Sequence, residues 1–215
     1  MASQRKLDHN FIVTDIIPLK RNRNKFDLLL SHHKKIKVSS NTILEFKIQK
    51  GDTLSKSILD SLIRFDKTQT LKERILIYLA YRSRSKNEIL QHFKNKGFPD
   101  DLILIAIGYL EEKGYVDDVS FAKRYVKHLV EIKLLGEKSV RNKLYQHCIN
   151  PAILDEIIEK VYKKNPPNFL IKKIIKKKSF TIKQEMVNNQ KIVYHLKRKG
   201  FLWEDISEVL SKSEL

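Results

Sequence analysis

The apolar positions of this chain follow two different periods. Between Phe11 and Lys20 β-branched and apolar residues dominate up to Pro18, as in a strand, and the polar run Arg21–Asn24 then marks a turn. Phe26–Leu30 and Ile36–Val38 read as second and third strands, separated by His32, His33, Lys34 and Lys35. Ser39 or Ser40 is placed to cap a short helix carrying Ile43, Leu44 and Phe46. After Gly51, the residues Leu54, Ile58, Leu59, Leu62 and Ile63 share one helical face. This leading segment is too small to be very stable alone and is expected to lean on the helices that come after it in the chain.

From about Thr70 the period is helical almost throughout. Leu71, Ile75, Leu76 and Leu79 form one stripe. Ser85 followed by Glu88 is a capping box, in which two side chains satisfy orphan amides at a helix start, and it opens a helix carrying Ile89, Leu90 and Phe93. Gly97 ends that helix, and Pro99 suits the opening of the next, with Leu102, Ile103, Ala106, Ile107 and Leu110 facing inward until Gly114. The same grammar then recurs. After Asp117 and Asp118, the residues Phe121, Tyr125, Leu129 and Ile132 predict a long helix; Gly136 interrupts it. Val140 and Leu144 mark the next helix, and Ile153, Leu154, Ile157, Ile158 and Val161 another. Near the end, Ile192, Leu196 and Lys199-Gly200-Phe201 echo Ile89, Phe93 and Lys96-Gly97-Phe98. A middle copy aligns through Val140, Leu144 and Ile149, with Cys148 where the others have glycine. Three copies at a spacing of roughly 51 residues predict a mainly α fold: tandem three-helix repeats forming an elongated curved body behind a small β-containing amino-terminal region. The expected boundaries are 1–66 for a β-hairpin-plus-helix region, then 67–116, 117–164 and 165–215 for the repeats, with Asn165-Pro166-Pro167-Asn168 as a joint.

Charge changes the picture more than any motif does. Lys and Arg number 43 against 25 Asp and Glu, a formal net charge of +18. Such an imbalance draws polyanions and makes their binding salt-dependent, although a general solubility charge would look the same in composition. Cys148 is the one cysteine, which excludes an internal disulfide and disfavours a secreted scaffold. The first residues lack the apolar core of a signal peptide, and no apolar run reaches the roughly 18 residues of a membrane span, so a cytoplasmic protein without a membrane partner is expected.

No catalytic constellation stands out. The six glycines are scattered and build no phosphate-cradling loop. Cys148 beside His147 reads better as a structural thiol than as a nucleophile, and His32-His33 lacks further zinc ligands. Glu111, Glu112, Asp117 and Asp118 could hold a divalent ion as in a nuclease. Capping of the following helix needs only their position before Phe121 and is the simpler expectation. No cofactor and no metal are therefore expected. The binding candidates are basic: Arg82, Arg84 and Lys86 at a helix junction; Lys123, Arg124 and Lys127 along one helix; Lys138 and Arg141 on its neighbour. Further along come Lys172, Lys173 and Lys176, and then Lys197 and Arg198. A common basic surface fits a polyanion, mostly through phosphate contacts, and reversing Arg82 and Arg84 is expected to weaken binding without unfolding the chain.

The run Glu73–Ile89, then Lys96-Gly97-Phe98, then Tyr109–Ala122 with its Gly114-Tyr115-x-Asp117-Asp118-x-x-Phe121-Ala122 pattern, resembles the bacterial regulatory RecX family. The likeness is good over roughly 70–215 and looser ahead of it. It implies three tandem three-helix repeats, and a protein that lies in the groove of the RecA recombinase filament and modulates it, usually by inhibition. Recombination, ATP hydrolysis and the filament's coprotease role in the SOS response and DNA repair would all be affected. Partners implied are the filament and its single-stranded DNA, or weak direct contact with DNA; a monomer is the simplest state. The departures are Cys148 in place of the usual glycine and a longer stretch, Lys177–Asn189, whose Ser179-Phe180-Thr181-Ile182 is not clearly helical. Two other readings stay open: an independent DNA- or RNA-binding helical module, and a metal-dependent nuclease.

Overall fold

The structure, a computed structural model, describes residues 10–20, 22–177 and 186–211. The chain divides into two compact units, Met1–Tyr78 with Lys96–Leu110, and Leu79–Asn95 with Glu111–Leu215.

The first unit begins with three strands, β1 (Phe11–Leu19), β2 (Asn22–Leu30) and β3 (Lys35–Ser39), followed by the short helix α1 (Ser40–Glu45). A two-residue strand β4 (Thr53–Leu54) completes an antiparallel sheet of order β3-β2-β1-β4. The β1–β2 turn is tighter than the expected Arg21–Asn24, because Asn22 already pairs with Leu19. β4 escaped the periodicity: two residues carry no alternation, and only the pairing of Phe11 with Leu54 and Ile12 with Thr53 defines it. The register of β1 shifts between Val13 and Asp15, as in a bulge. Alternation then buries Val13, Leu28, Leu30 and Val38, which pack with Ile48, Leu54, Leu59 and Leu62. Full burial of each such leucine is worth about 1.5–3 kcal/mol.

Leu59 and Leu62 belong to α2 (Lys56–Tyr81), which Ser55 opens by accepting the Ile58 amide at 3.3 Å. α2 runs without interruption through residue 66, where an amino-terminal region was expected to end. Asp66, buried on α2, ties the sheet to the helix. It accepts from the Ser39 amide at 2.6 Å and from Thr42 Oγ1 at 2.8 Å, with Lys25 Nζ 3.6 Å away. Ser39 itself caps α1, accepting the Thr42 amide. The apolar stripes are not buried throughout: Leu44 is 72% exposed, Ile58 43% and Leu76 36%, whereas Leu71 and Ile75 are fully buried. The inward face of α4 (Asp100–Glu112) is the expected one, Leu102, Ile103, Ala106, Ile107 and Leu110. Arg64 pairs with Asp101 at 2.6 Å, and Lys72 Nζ lies 3.5 Å from the Tyr109 ring centroid.

The second unit is helical. It contains α3 (Lys86–Lys94), α5 (Asp118–Lys127), α6 (Glu137–Tyr145) and α7 (Pro151–Lys164), then α8 (Pro167–Lys177), α9 (Met186–Arg198) and α10 (Trp203–Ser211). Of the expected irregular stretch Lys177–Asn189, Lys177 belongs to α8 and Met186–Asn189 to α9, and Ser179–Ile182 lies outside the described residues. One continuous core runs through the unit, from Phe121, Val126 and Leu129 through Leu144 and Ile158 to Leu170, Ile192 and Ile206. α5 widens after Lys127 into a π-helical turn, His128–Ile132, closed by the Lys133 amide on the His128 carbonyl. The widened turn shifts the helical phase and leaves Ile132, the last residue of the predicted apolar series, 65% exposed.

Two contacts in this unit correspond, about fifty residues apart. At the start of α3, Ser85 Oγ lies 2.8 Å from His147 Nδ1, and Asn87 Nδ2 donates to the Gln146 carbonyl at 2.7 Å. At the start of α6, the Gly136 amide donates to the Lys199 carbonyl at 2.9 Å. A Cβ on Gly136 would fall 2.3 Å from the Gly200 carbonyl oxygen. Each helix start thus meets a left-handed turn further along, centred on Cys148 (φ 51°) or Gly200 (φ 86°), and Gly97 has the same sign (φ 81°). Cys148 pays the Cβ–carbonyl clash that glycine avoids, about 1–2 kcal/mol.

Cys148→Gly is expected to stabilise the protein by about 1 kcal/mol, read as a higher urea midpoint at unchanged m-value. Gly136→Ala should do the reverse and lower stability by roughly 1–3 kcal/mol, since backbone must move to admit the methyl group.

Candidate functional site

The capping box at Ser85 builds more than a helix start. Ser85 Oγ accepts the Glu88 amide at 3.2 Å and shares a second hydrogen bond, 2.8 Å long, with His147 Nδ1. His147 is buried, packed against Phe121 (centroids 4.8 Å) and Tyr125 (5.3 Å). Burial lowers its imidazole below the usual histidine value.

The Glu88 carboxylate, the other half of the box, is gripped by arginines. Both of its oxygens take Arg82, and Arg84 binds the same group. Burial alone would push the Glu88 carboxyl up, but the hydrogen bonds from the two guanidinium groups outweigh it and hold the group down. Arg84, with a side chain only 14% exposed, is a structural partner of Glu88. Reversing Arg82 and Arg84 together would place two further carboxylates against Glu88 at the start of α3.

Lys86 is likewise engaged. Its amide donates to Asp118 Oδ1 at 2.8 Å and its Nζ to Glu111 Oε1 at 2.9 Å, a bond that raises the ammonium pKa. Asp117 caps α5 by accepting the Val119 and Ser120 amides, and its bonds with Ser120 lower its carboxyl. Asp118, by contrast, is raised by burial. These carboxylates serve helix starts and Lys86, and among the described residues no cluster of three His, Cys, Asp or Glu is placed to hold a metal ion. No described helix is long and apolar enough to cross a membrane.

Beside this network lies a cleft of about 1270 Å³. Buried Phe121, Leu144 and Ile149 and half-buried Tyr125 and Leu154 line it, with exposed Arg82, Arg124, His128, Arg141 and Tyr145 at its surface. Arg141 is held by Glu137 and Asp155, and the hydrogen bonds to these acids raise its already high pKa. The cleft thus brings together Arg82, Arg124 and Arg141 of the expected basic residues. Lys123, Lys127 and Lys138 are exposed on α5 and α6 and do not line it. Lys172, Lys173 and Lys176 are exposed on α8, and Lys197 and Arg198 on α9. His128 and Tyr145 were missed. Tyr145 is 88% exposed, and an aromatic on the polar side of α6 was the signal that could have found it.

No family model matches the chain. Known proteins do. It is 26% identical over 204 residues to "Regulatory protein RecX" of Staphylococcus aureus, covering 94% of this chain and 74% of that one. With the RecX protein of Staphylococcus carnosus it shares 23% over 201 residues, 92% of this chain and 74% of that one. The chain is similar to RecX proteins along nearly its whole length. Its fold is also that of RecX crystal structures. One is matched with a TM-score of 0.72 at 21% identity, over 94% of this chain and 99% of the other. RecX from Lactobacillus salivarius gives 0.55 at 20%, over 68% and 96%. The sequence pattern that carries the resemblance to RecX proteins has a physical reading. Gly114 takes a left-handed turn (φ 74°), Asp117 caps α5, Asp118 ties α3 to α5 through the Lys86 amide, and Phe121 packs on His147.

A pH titration of stability checks the histidine. The unfolded chain's imidazole, of pKa about 6.5, takes up a proton before the folded one does, so the unfolded state binds more protons in that window. Stability is full above about pH 6.5 and declines as pH falls toward the depressed folded value. His147→Leu should flatten this slope as pH falls below about 6.5 and, by removing the buried partner of Ser85 Oγ, cost about 1–3 kcal/mol at neutral pH.

Proposed function

We propose that this protein is a stoichiometric cytoplasmic regulator of the RecX family that binds the RecA recombinase filament and restrains its ATP hydrolysis and strand exchange. The observation that carries the reading is the sequence relation to regulatory RecX proteins across more than nine-tenths of the chain. Three tandem three-helix repeats, 67–116, 117–164 and 165–215, form the binding body behind the region 1–66. The shared left-handed turns at Gly97, Cys148 and Gly200 support that periodicity, as do the matching contacts at Ser85 and Gly136. No catalytic group is required: the protein works by occupying the filament groove.

The cleft is suited to a protein side chain. Its lining is largely aromatic and aliphatic, and two of its arginines are already paired with acids, as in an anchor pocket with a charged margin. Lys123, Arg124 and Lys127 on α5, Lys138 on α6 and Lys172, Lys173 and Lys176 on α8 supply the long-range attraction to an anionic filament and to the phosphates of its DNA. Arg82 and Arg141 contribute shape and rim charge. Arg84 and Lys86 hold the site together from behind.

The test adds the purified protein to RecA on single-stranded DNA and follows ATP hydrolysis. Inhibition is expected near one protein per few RecA protomers. Lys123→Glu with Arg124→Glu should raise the concentration needed by roughly ten-fold or more while leaving the thermal midpoint within a few degrees, since both side chains are exposed on α5. Unaltered ATP hydrolysis at stoichiometric protein would overturn the reading. If salt-sensitive binding to bare nucleic acid accompanied it, the independent binding module would take its place.

A further inference from the structure

Two aromatic side chains on the terminal helices of the second unit are left largely open. Tyr194 of α9 is 65% exposed and Trp203, the first residue of α10, is 52% exposed, with Leu202 beside it at 57%. Each ring is flanked by a cation. Arg198 Cζ lies 5.7 Å from the Tyr194 centroid, one helical turn along α9, and Lys197 Nζ lies 5.1 Å from that of Trp203. Lys197 and Arg198 are consecutive and exposed, and Lys191, three residues before Tyr194, is exposed as well. Two aromatic–cation pairs thus share one short stretch of surface. Against them stand Glu204, exposed, and Asp205, half-buried, in the first turn of α10, where their charge suits the helix N-terminus.

A folded chain gains little from leaving an indole half in water, so an exposed tryptophan set among cations is a feature that a ligand would use. The ligand must offer flat apolar faces and negative charge at close intervals. Single-stranded nucleic acid does both, because its bases present π-faces and its phosphates follow one per nucleotide. A duplex offers the phosphates and hides the faces.

We infer that the α9–α10 surface of Tyr194, Lys197, Arg198 and Trp203 is a stacking platform for unpaired bases, giving the protein a preference for single-stranded over duplex nucleic acid. An incoming base takes the ring face that Lys197 now overlies loosely, and the ammonium moves to the adjoining phosphate. Tyr194 and Arg198 receive the neighbouring nucleotide in the same way. The assignment rests on reading the basic surface as a nucleic-acid interface, and it adds to that reading which residues discriminate strandedness.

Trp203 is the single tryptophan of the chain, so its fluorescence reports on this surface alone. The experiment titrates the full-length protein at low salt with a fluorescein-labelled oligo-dT of about 16 nucleotides and, in a second arm, with oligo-rU of the same length. Tryptophan emission and probe anisotropy are followed together. The expected result is quenching that tracks anisotropy, weaker binding to a hairpin duplex, and about ten-fold loss of affinity in Trp203→Ala and in Tyr194→Ala. Trp203→Phe should retain most of the affinity, which separates stacking from loss of fold. Anisotropy without quenching, or equal affinity in Trp203→Ala, would overturn the platform and leave the basic interface standing. Binding to neither oligonucleotide would overturn both. Equal quenching by polyglutamate would overturn it in favour of a general anion-binding face.

Discussion

Ser85 Oγ meets two demands at once: it accepts the Glu88 amide that opens α3, and it is hydrogen-bonded to the buried ring of His147. An ordinary cap would look to solvent. Here the hydroxyl is fully buried, so losing either partner would strand a polar group away from water. His147 in turn packs on Phe121 and Tyr125, which line the cleft, while Glu88 gathers Arg82 and Arg84 on the other side of the same helix start. The position of α3, the wall of the cleft and the disposition of two arginines all depend on this one hydroxyl.

The second helix start in the same unit solves the equivalent problem with no side chain at all. Gly136 brings backbone against the Lys199–Gly200 turn, closer than any Cβ would allow. One contact is polar and holds a titratable ring; the other is bare backbone and insensitive to pH. Similar geometry has therefore been reached with different chemistry, which explains why the middle turn tolerates Cys148 where the last keeps glycine. The glycine of the last turn faces Ser139 at clashing distance for any Cβ. Cys148 is exposed and meets only the cost of its left-handed conformation.

The formal charge of +18 overstates what the surface offers. Acids have already taken Arg82, Arg84, Lys86 and Arg141, and these bonds order helix starts rather than recruit a partner. Exposed cations also lie on α5, α6, α8 and α9. Residues that look alike in sequence thus differ in whether an acid of the same chain holds them, and the difference follows from where Glu88, Glu111, Glu137 and Asp155 fold.

What the amino-acid sequence determined by itself was local. Helical period, the caps at Ser39, Ser85 and Asp117, the turns at Gly97, Gly114 and Gly200 and the family pattern around them depend on residues within a few positions of one another. They could be read without a structure. The reach of α2 through residue 66, the strand at Thr53–Leu54, the tie from Asp66 to Ser39 and Thr42, and the outward turn of Leu44, Leu76 and Ile132 could not. Each depends on a partner twenty or more residues away or on a break in helical phase that periodicity averages over. The cleft belongs to the same class. Arg82, Arg124 and Arg141 come from three separate stretches of chain and Tyr145 from the polar side of α6, and only packing of α3, α5 and α6 around Phe121 and His147 brings them to one place.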